Sequence, residues 1–321
     1  RLRLRLLLLA VALLLAAALL GALGALLLGP LRALRAGRLP KVELVDPAGH
    51  VPLAEQAIES IHTAEYVEAL RTGEPDDLAS SSWFPWDTGI WLAALNSTAG
   101  VLAAVEDALA NGASSGSLSS GLHHARAGQG SGFCTVNGLV AAARHALALI
   151  GGTVVILDVD AHCGGGTHSL IAGEARIRHL DLSVNSFDSY APAGNNRLVL
   201  ITDGFESDGR YLDELDGLLA EVPADTGLVF YNAGMDPHPT VSAEALAERE
   251  SRVAAWRADI GIPLVFVLAG GYTSTLTEDE LIDLHLHTLR AFAPKPKCRR
   301  VETAKAWMRR RRTGHRFRWR L

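Results

Sequence analysis

Thr153 to Thr167 reads TVVILDVDAHCGGGT. Its first five residues are mostly apolar and rich in β-branched side chains, the composition of a buried strand. Asp158, Asp160 and His162 then follow at every second position. Alternate side chains of an extended chain share a face, so these three polar groups project to one side as the strand ends. Gly164 to Gly166 come next and permit a tight turn or close backbone approach. In open α/β sheets ligands bind beyond the carboxyl ends of the strands. A salt-bridged or helix-capping strand end explains most isolated D-x-D pairs. Two carboxylates and an imidazole ahead of a glycine run point instead to a metal site.

The same pattern recurs downstream. Leu228–Asn232 is an apolar strand running into Asp236, and Pro263–Leu268 is another, running into Gly270, Gly271 and Tyr272. A short strand is expected over 178–184. Helices are expected over 58–70, 91–110, 136–150, 211–219, 243–260 and 278–292. The stretches 113–132 and 186–197 read as loops, and Gly151-Gly152 as a helix C-cap. Strands alternating with helices give an α/β fold, a three-layer α/β/α sandwich around a mostly parallel sheet. The carboxyl ends of such strands lie along one edge, so Asp160, His162 and Asp236 can share a cleft. Two oxygen ligands and one nitrogen suit Zn²⁺, with Fe²⁺ the alternative. Three protein ligands with an open position describe a catalytic site. His123-His124, beside it, would be natural acid/base groups, because imidazole titrates near neutrality. A phenol at Tyr272 can stabilise an oxyanion.

The chain has 321 residues and a formal net charge of −5. That balance is uneven. Residues 1–41 hold seven of the Arg and Lys and residues 294–321 hold twelve, which leaves 11 against 34 acids in residues 42–293. A body near −23 argues against nucleic-acid binding. The three cysteines, Cys134, Cys163 and Cys298, form no CxxC, consistent with a reducing, cytoplasmic compartment. Residues 6–29 are 24 uncharged residues flanked by arginines. They are long enough to span a bilayer and read as a membrane anchor or a low-complexity extension. Three parts follow: the apolar segment 1–30, a catalytic domain over 31–293 and a basic tail over 294–321.

Five blocks in order resemble the zinc-dependent histone deacetylase and acetylpolyamine amidohydrolase family, which has the arginase-deacetylase fold. They are IHTAEYVEAL (61–70), GLHHARAGQGSGFCTVNG (121–138), LDVDAHCGGGT (157–167), YNAGMDPHP (231–239) and VLAGGY (267–272). The resemblance implies Asp160, His162 and Asp236 as zinc ligands. It implies His123 and His124 as the tandem histidines, with His124 the general base, and Tyr272 as the carbonyl-polarising group. Gly132, Phe133, Tyr190, Gly270 and Gly271 would line the acyl tunnel. Asp158 would orient His123 and, with Ser183, help bind a monovalent cation, K⁺. The implied substrate is an N-acetylated amine, of acetyl-lysine or acetylpolyamine type, and the reaction releases acetate. An impaired metal-binding relative is the alternative. An arginase-type ureohydrolase needs a second acidic pair, and Pro237 and His238 follow Asp236 instead. The chain departs from the family at Gly165, where Asn or Asp usually supports the second histidine. The prolines that usually precede Gly121 are missing, and the family's first strand is not recognisable before Leu31.

Overall fold

The computed structural model describes residues 4–7, 29–35, 37, 39, 42–202, 208–274 and 276–293. Within them eight strands form one sheet: β1 (Leu4–Leu7), β2 (Val42–Val45), β3 (Ser114–Ser117), β4 (Thr153–Asp158), β5 (Ile177–Ser183), β6 (Asn196–Leu200), β7 (Thr226–Gly234) and β8 (Leu264–Ala269). Their order is β2-β1-β3-β8-β7-β4-β5-β6. Every pairing is parallel, which turns the expected mostly parallel sheet into a wholly parallel one.

Parallel strands buried on both faces are apolar throughout, because helices cover each side. Alternation along β4 sends Val155 and Leu157 into one core, with Val229, Phe266 and the helices 208–220, 243–260 and 278–292. Val154 and Ile156 enter the other, with Phe230, Val265 and the helices 89–111 and 138–149. The sandwich therefore has three layers. The helices with matching expected and observed ends have strong local stops. Ser242 caps Ala243–Ile260, and left-handed Gly261 ends it. Thr277 and Glu280 form a reciprocal capping box at the start of Glu278–Phe292.

Four expectations are corrected. The helix expected over 58–70 is two helices, Val51–Glu59 and Ala64–Thr72, because the Thr63 side chain accepts from Tyr66 N and starts a new one. The loop expected over 113–132 contains β3, and 186–197 runs into β6. The helix before β4 is closed by extended Ile150 rather than by the glycines, although Gly152 does adopt φ +89°. Finally, a strand does precede Leu31: β1 pairs with both β2 and β3.

Leu6 and Leu7, the first residues of the uncharged run, thus belong to the sheet, and residues 8–28 lie outside the described residues. So does the basic tail 294–321. Among the described residues one helix, Gly89–Asn111, is long and apolar enough to cross a membrane, and 67% of its most apolar window is buried in the protein. The two cysteines that are described, Cys134 and Cys163, are free and buried.

Candidate metal centre

The site lies beyond the carboxyl ends of β4, β7 and β8. Ligand atoms of Asp160, His162 and Asp236 lie within 4.8 Å of one another. His162 Nδ1 is 3.2 Å from Asp160 Oδ1 and 3.1 Å from Asp236 Oδ2. Asp236 Oδ1 accepts from Ala161 N at 2.9 Å. Its Oδ2 is buried and accepts no hydrogen bond of good geometry, although His162 stands close by. Two buried carboxylates and an imidazole nitrogen aimed at one point, one oxygen lacking a donor, fit a divalent cation. Gly270, at φ +56°, closes the cluster: a Cβ there would stand 2.5 Å from Asp236 Cγ. The Gly271 equivalent would meet Leu281 and Met235, so Gly271 packs toward the core.

Charge follows from this crowding. Burial raises the Asp236 carboxyl and neighbouring Asp160 adds to it, to about 6. Burial works against the charged form of Asp160 too, but His123 and His162 outweigh it and hold Asp160 at about 2. Burial lowers His162, yet the two carboxylates more than offset this and push it up to about 10. With no cation between them, the two carboxylates favour a proton on His162; a divalent metal binding there would compete with that proton.

Asp158 lies beneath, fully buried, and its carboxylate accepts from His123 Nδ1 at 2.8 Å and Asn232 Nδ2 at 2.7 Å. Burial raises its pKa, but His123 outweighs this and holds it far below the carboxylate range. His123 is in turn pushed up to about 10, Asp158 and Asp160 overcoming burial. His124 Nε2 lies 3.1 Å from His123 Nε2. Burial, then the positive His123, lower the His124 pKa. The histidine pair is held by Thr167 N and Asn137 Nδ2, which donate to His123 O at 2.9 and 3.2 Å. The glycine run explains that closeness: a Cβ on Gly166 would stand 2.5 Å from His123 O.

Tyr272 faces the cluster with its ring centroid 6.4 Å from that of His162, and burial raises its phenol pKa. Gly132, at φ +52°, backs onto His124 and Phe187; a Cβ there would stand 2.6 Å from His124 Cδ2. Phe187 packs edge-on to His124 and His162, at 5.0 and 5.9 Å between centroids. Trp83 touches both Phe133 and Phe187 at 5.4 Å. Gly132 and Phe187 thus flank His124, and exposed Trp83 links Phe187 to Phe133.

Tyr190 has other partners. Its hydroxyl lies 3.1 Å from Asp181 Oδ2, to which it donates, and 3.2 Å from His179 Nδ1, and its ring stacks on His168 at 4.2 Å. A polar tip needs a buried partner, and Asp181 supplies it away from the cleft. Ser183 likewise donates to Asp181 Oδ1 at 2.5 Å, and burial raises Asp181 to about 6. Sequence reasoning missed Phe187 and Asp188, which sit in an Asn- and Ser-rich loop with no periodic signal. It also misjudged Gly165. His124 Nδ1 does have a partner, Asp188 Oδ2 at 2.9 Å.

Comparison with known proteins gives the family and the fold. The histone deacetylase domain model matches residues 30–288. An uncharacterized protein of Picosynechococcus sp. is 29% identical over 68% of this chain and 76% of its own length. "Histone deacetylase 2" of Arabidopsis thaliana is 31% identical over 48% of this chain and 43% of its own. A "Probable deacetylase" of Methanothermobacter thermautotrophicus is 26% identical over 66% and 70%. The crystal structure of the HDA15 HD domain superposes with a TM-score of 0.64, at 19% identity, over 85% of this chain and 83% of that one. It shares the fold, the arginase-deacetylase sandwich. The chain belongs to the histone deacetylase family.

Proposed function

We propose that this protein is a zinc-dependent deacetylase that hydrolyses the amide of an N-acetylated amine, of acetyl-lysine or acetylpolyamine type, and releases acetate. The observation that carries the reading is the metal cluster Asp160, His162 and Asp236 set beside two histidines whose Nε2 atoms lie 3.1 Å apart. When bound, a divalent metal acidifies water and polarises a carbonyl. The chain's own residues supply the rest. His124, kept neutral by burial and by the charge of His123, removes a proton from the attacking water. Tyr272, whose phenol stays protonated because burial raises its pKa, donates its O–H to the developing oxyanion. His123, charged and held on Asp158, stabilises that negative charge, and the histidine pair returns a proton to the leaving amine. Phe187, with Phe133 joined to it through Trp83, offers apolar surface to an unbranched side chain. An acidic body favours cationic substrates.

The direct test is acetate release from a panel of acetyl-lysine peptides and acetylpolyamines, with and without a strong chelator, alongside elemental analysis. Zinc bound at about one per chain and chelator-sensitive release support the reading; iron in its place changes the ion, and release that ignores the chelator sinks it. Tyr272→Phe should keep metal and fold but lower kcat by roughly 10²–10³. Turnover within a few-fold of the parent would remove Tyr272 from the mechanism.

A further inference from the structure

His124 ends a short relay that starts on Arg126. Asp188 Oδ2 lies 2.9 Å from His124 Nδ1 and accepts from Gly166 N at 3.2 Å. Its other oxygen accepts from Arg126 Nη2, and Arg126 Nη1 donates to Gly165 O at 3.1 Å. The Asp188 carboxylate is 5% exposed, and its backbone holds φ +58°, a left-handed geometry that Asp tolerates better than most residues. A Cβ on Gly165 would stand 2.6 Å from Asp188 Cγ. The carboxylate therefore fills the space in which any side chain at 165 would sit. The supporting group reaches His124 from the loop after β5, and the glycine makes room for it.

We infer that Asp188, clamped by Arg126, is the positioning residue that fixes the tautomer and orientation of His124. An imidazole whose Nδ1 donates to a carboxylate presents an unprotonated Nε2, the atom a base needs. That Nε2 faces His123 Nε2, whose ring is fixed in the same way by Asp158. Each histidine thus has its own carboxylate, one from the end of β4 and one from the loop after β5. Without Asp188 the His124 ring can take the other tautomer, with a proton where the base's lone pair should be. The catalytic consequence rests on the deacetylase reading; the hydrogen bond does not.

The test uses the full metal-loaded chain with Asp188→Ala and Asp188→Asn. Partners that orient functional histidines are typically worth 10–100-fold. Asp188→Ala should lower kcat by about 10²-fold, leaving KM, metal content and hydroxamate binding unchanged. Asp188→Asn, which retains an acceptor without the charge, should fall between it and the parent. An imidazole N–H held on a carboxylate gives a strongly downfield proton resonance. The parent should show two, from His123 and His124, and Asp188→Ala should lose one. A kcat within about threefold of the parent in folded Asp188→Ala overturns the inference, as does survival of both resonances. If Asp188→Ala does not fold, Asp188→Asn decides, and an unshifted His124 proton there overturns it. A parent that hydrolyses no acetyl amide defeats the deacetylase reading, while the resonances still show whether Asp188 holds His124.

Discussion

Asp236→Ala should lose metal and activity together. The carboxylate is one of the three groups that could hold the ion, and its Oδ2 is a buried acceptor with no hydrogen bond of good geometry. Removing it leaves Asp160 and His162, a pair too small to define a tetrahedral site. Zinc per chain, measured after gel filtration, should fall from about one to near zero, and acetate release should fall to background. The fold should survive, because in the metal-free protein the substitution removes an acid whose charged form burial already disfavours. A variant that binds metal with unchanged stoichiometry would show that the ligand set has been misassigned.

The second large effect is on stability. Arg249 is fully buried. It donates to Val159 O at 3.2 Å and Gly234 O at 2.8 Å, and pairs with Glu250 at 2.8 Å; Glu250 also accepts from Tyr231 Oη at 2.7 Å. One guanidinium therefore ties the carboxyl ends of β4 and β7 together, just before Asp160 and Asp236. Arg249→Met fills much of the volume but strands a buried Glu250 and two carbonyls. Breaking a buried pair from one side costs about 3–5 kcal/mol, so the thermal midpoint should drop by about 10 °C for a domain of this size. A loss under about 1 kcal/mol would mean that water or a rearranged neighbour satisfies Glu250 without its partner.

These two residues show what the chain discloses in advance. Asp236 follows an apolar run, and the strands β4, β7 and β8 all announce themselves by β-branched, apolar composition. The helices bounded by Ser242 and by Thr277 disclose their ends through caps. β3 does not, because its sequence is SSGS. It is buried all the same: Gly116 leaves room for the Phe266 ring, and Ser117 and Ser119 satisfy each other at 2.7 Å. Such a strand has no hydrophobic pattern to read. Asp188 was hidden for a different reason. Its role depends on a contact with a residue 64 positions earlier, which no local pattern encodes. Tyr190, two residues later, has the more conspicuous side chain, but its hydroxyl goes to Asp181 and His179 instead.

The place of β1 in the sheet has a consequence for the order of events during synthesis. Arg5 sits between Glu43 and Ser115. At about 5–20 residues per second, a ribosome takes roughly 4–14 s to pass from Glu43 on one flank of that strand to Ser115 on the other. Throughout that interval the emerging chain carries a strand with at most one neighbour, and open strand edges are templates for pairing between chains. Translation speed and chaperone occupancy while the stretch between β2 and β3 is made thus bear on the yield of folded protein, independently of how stable the finished fold is.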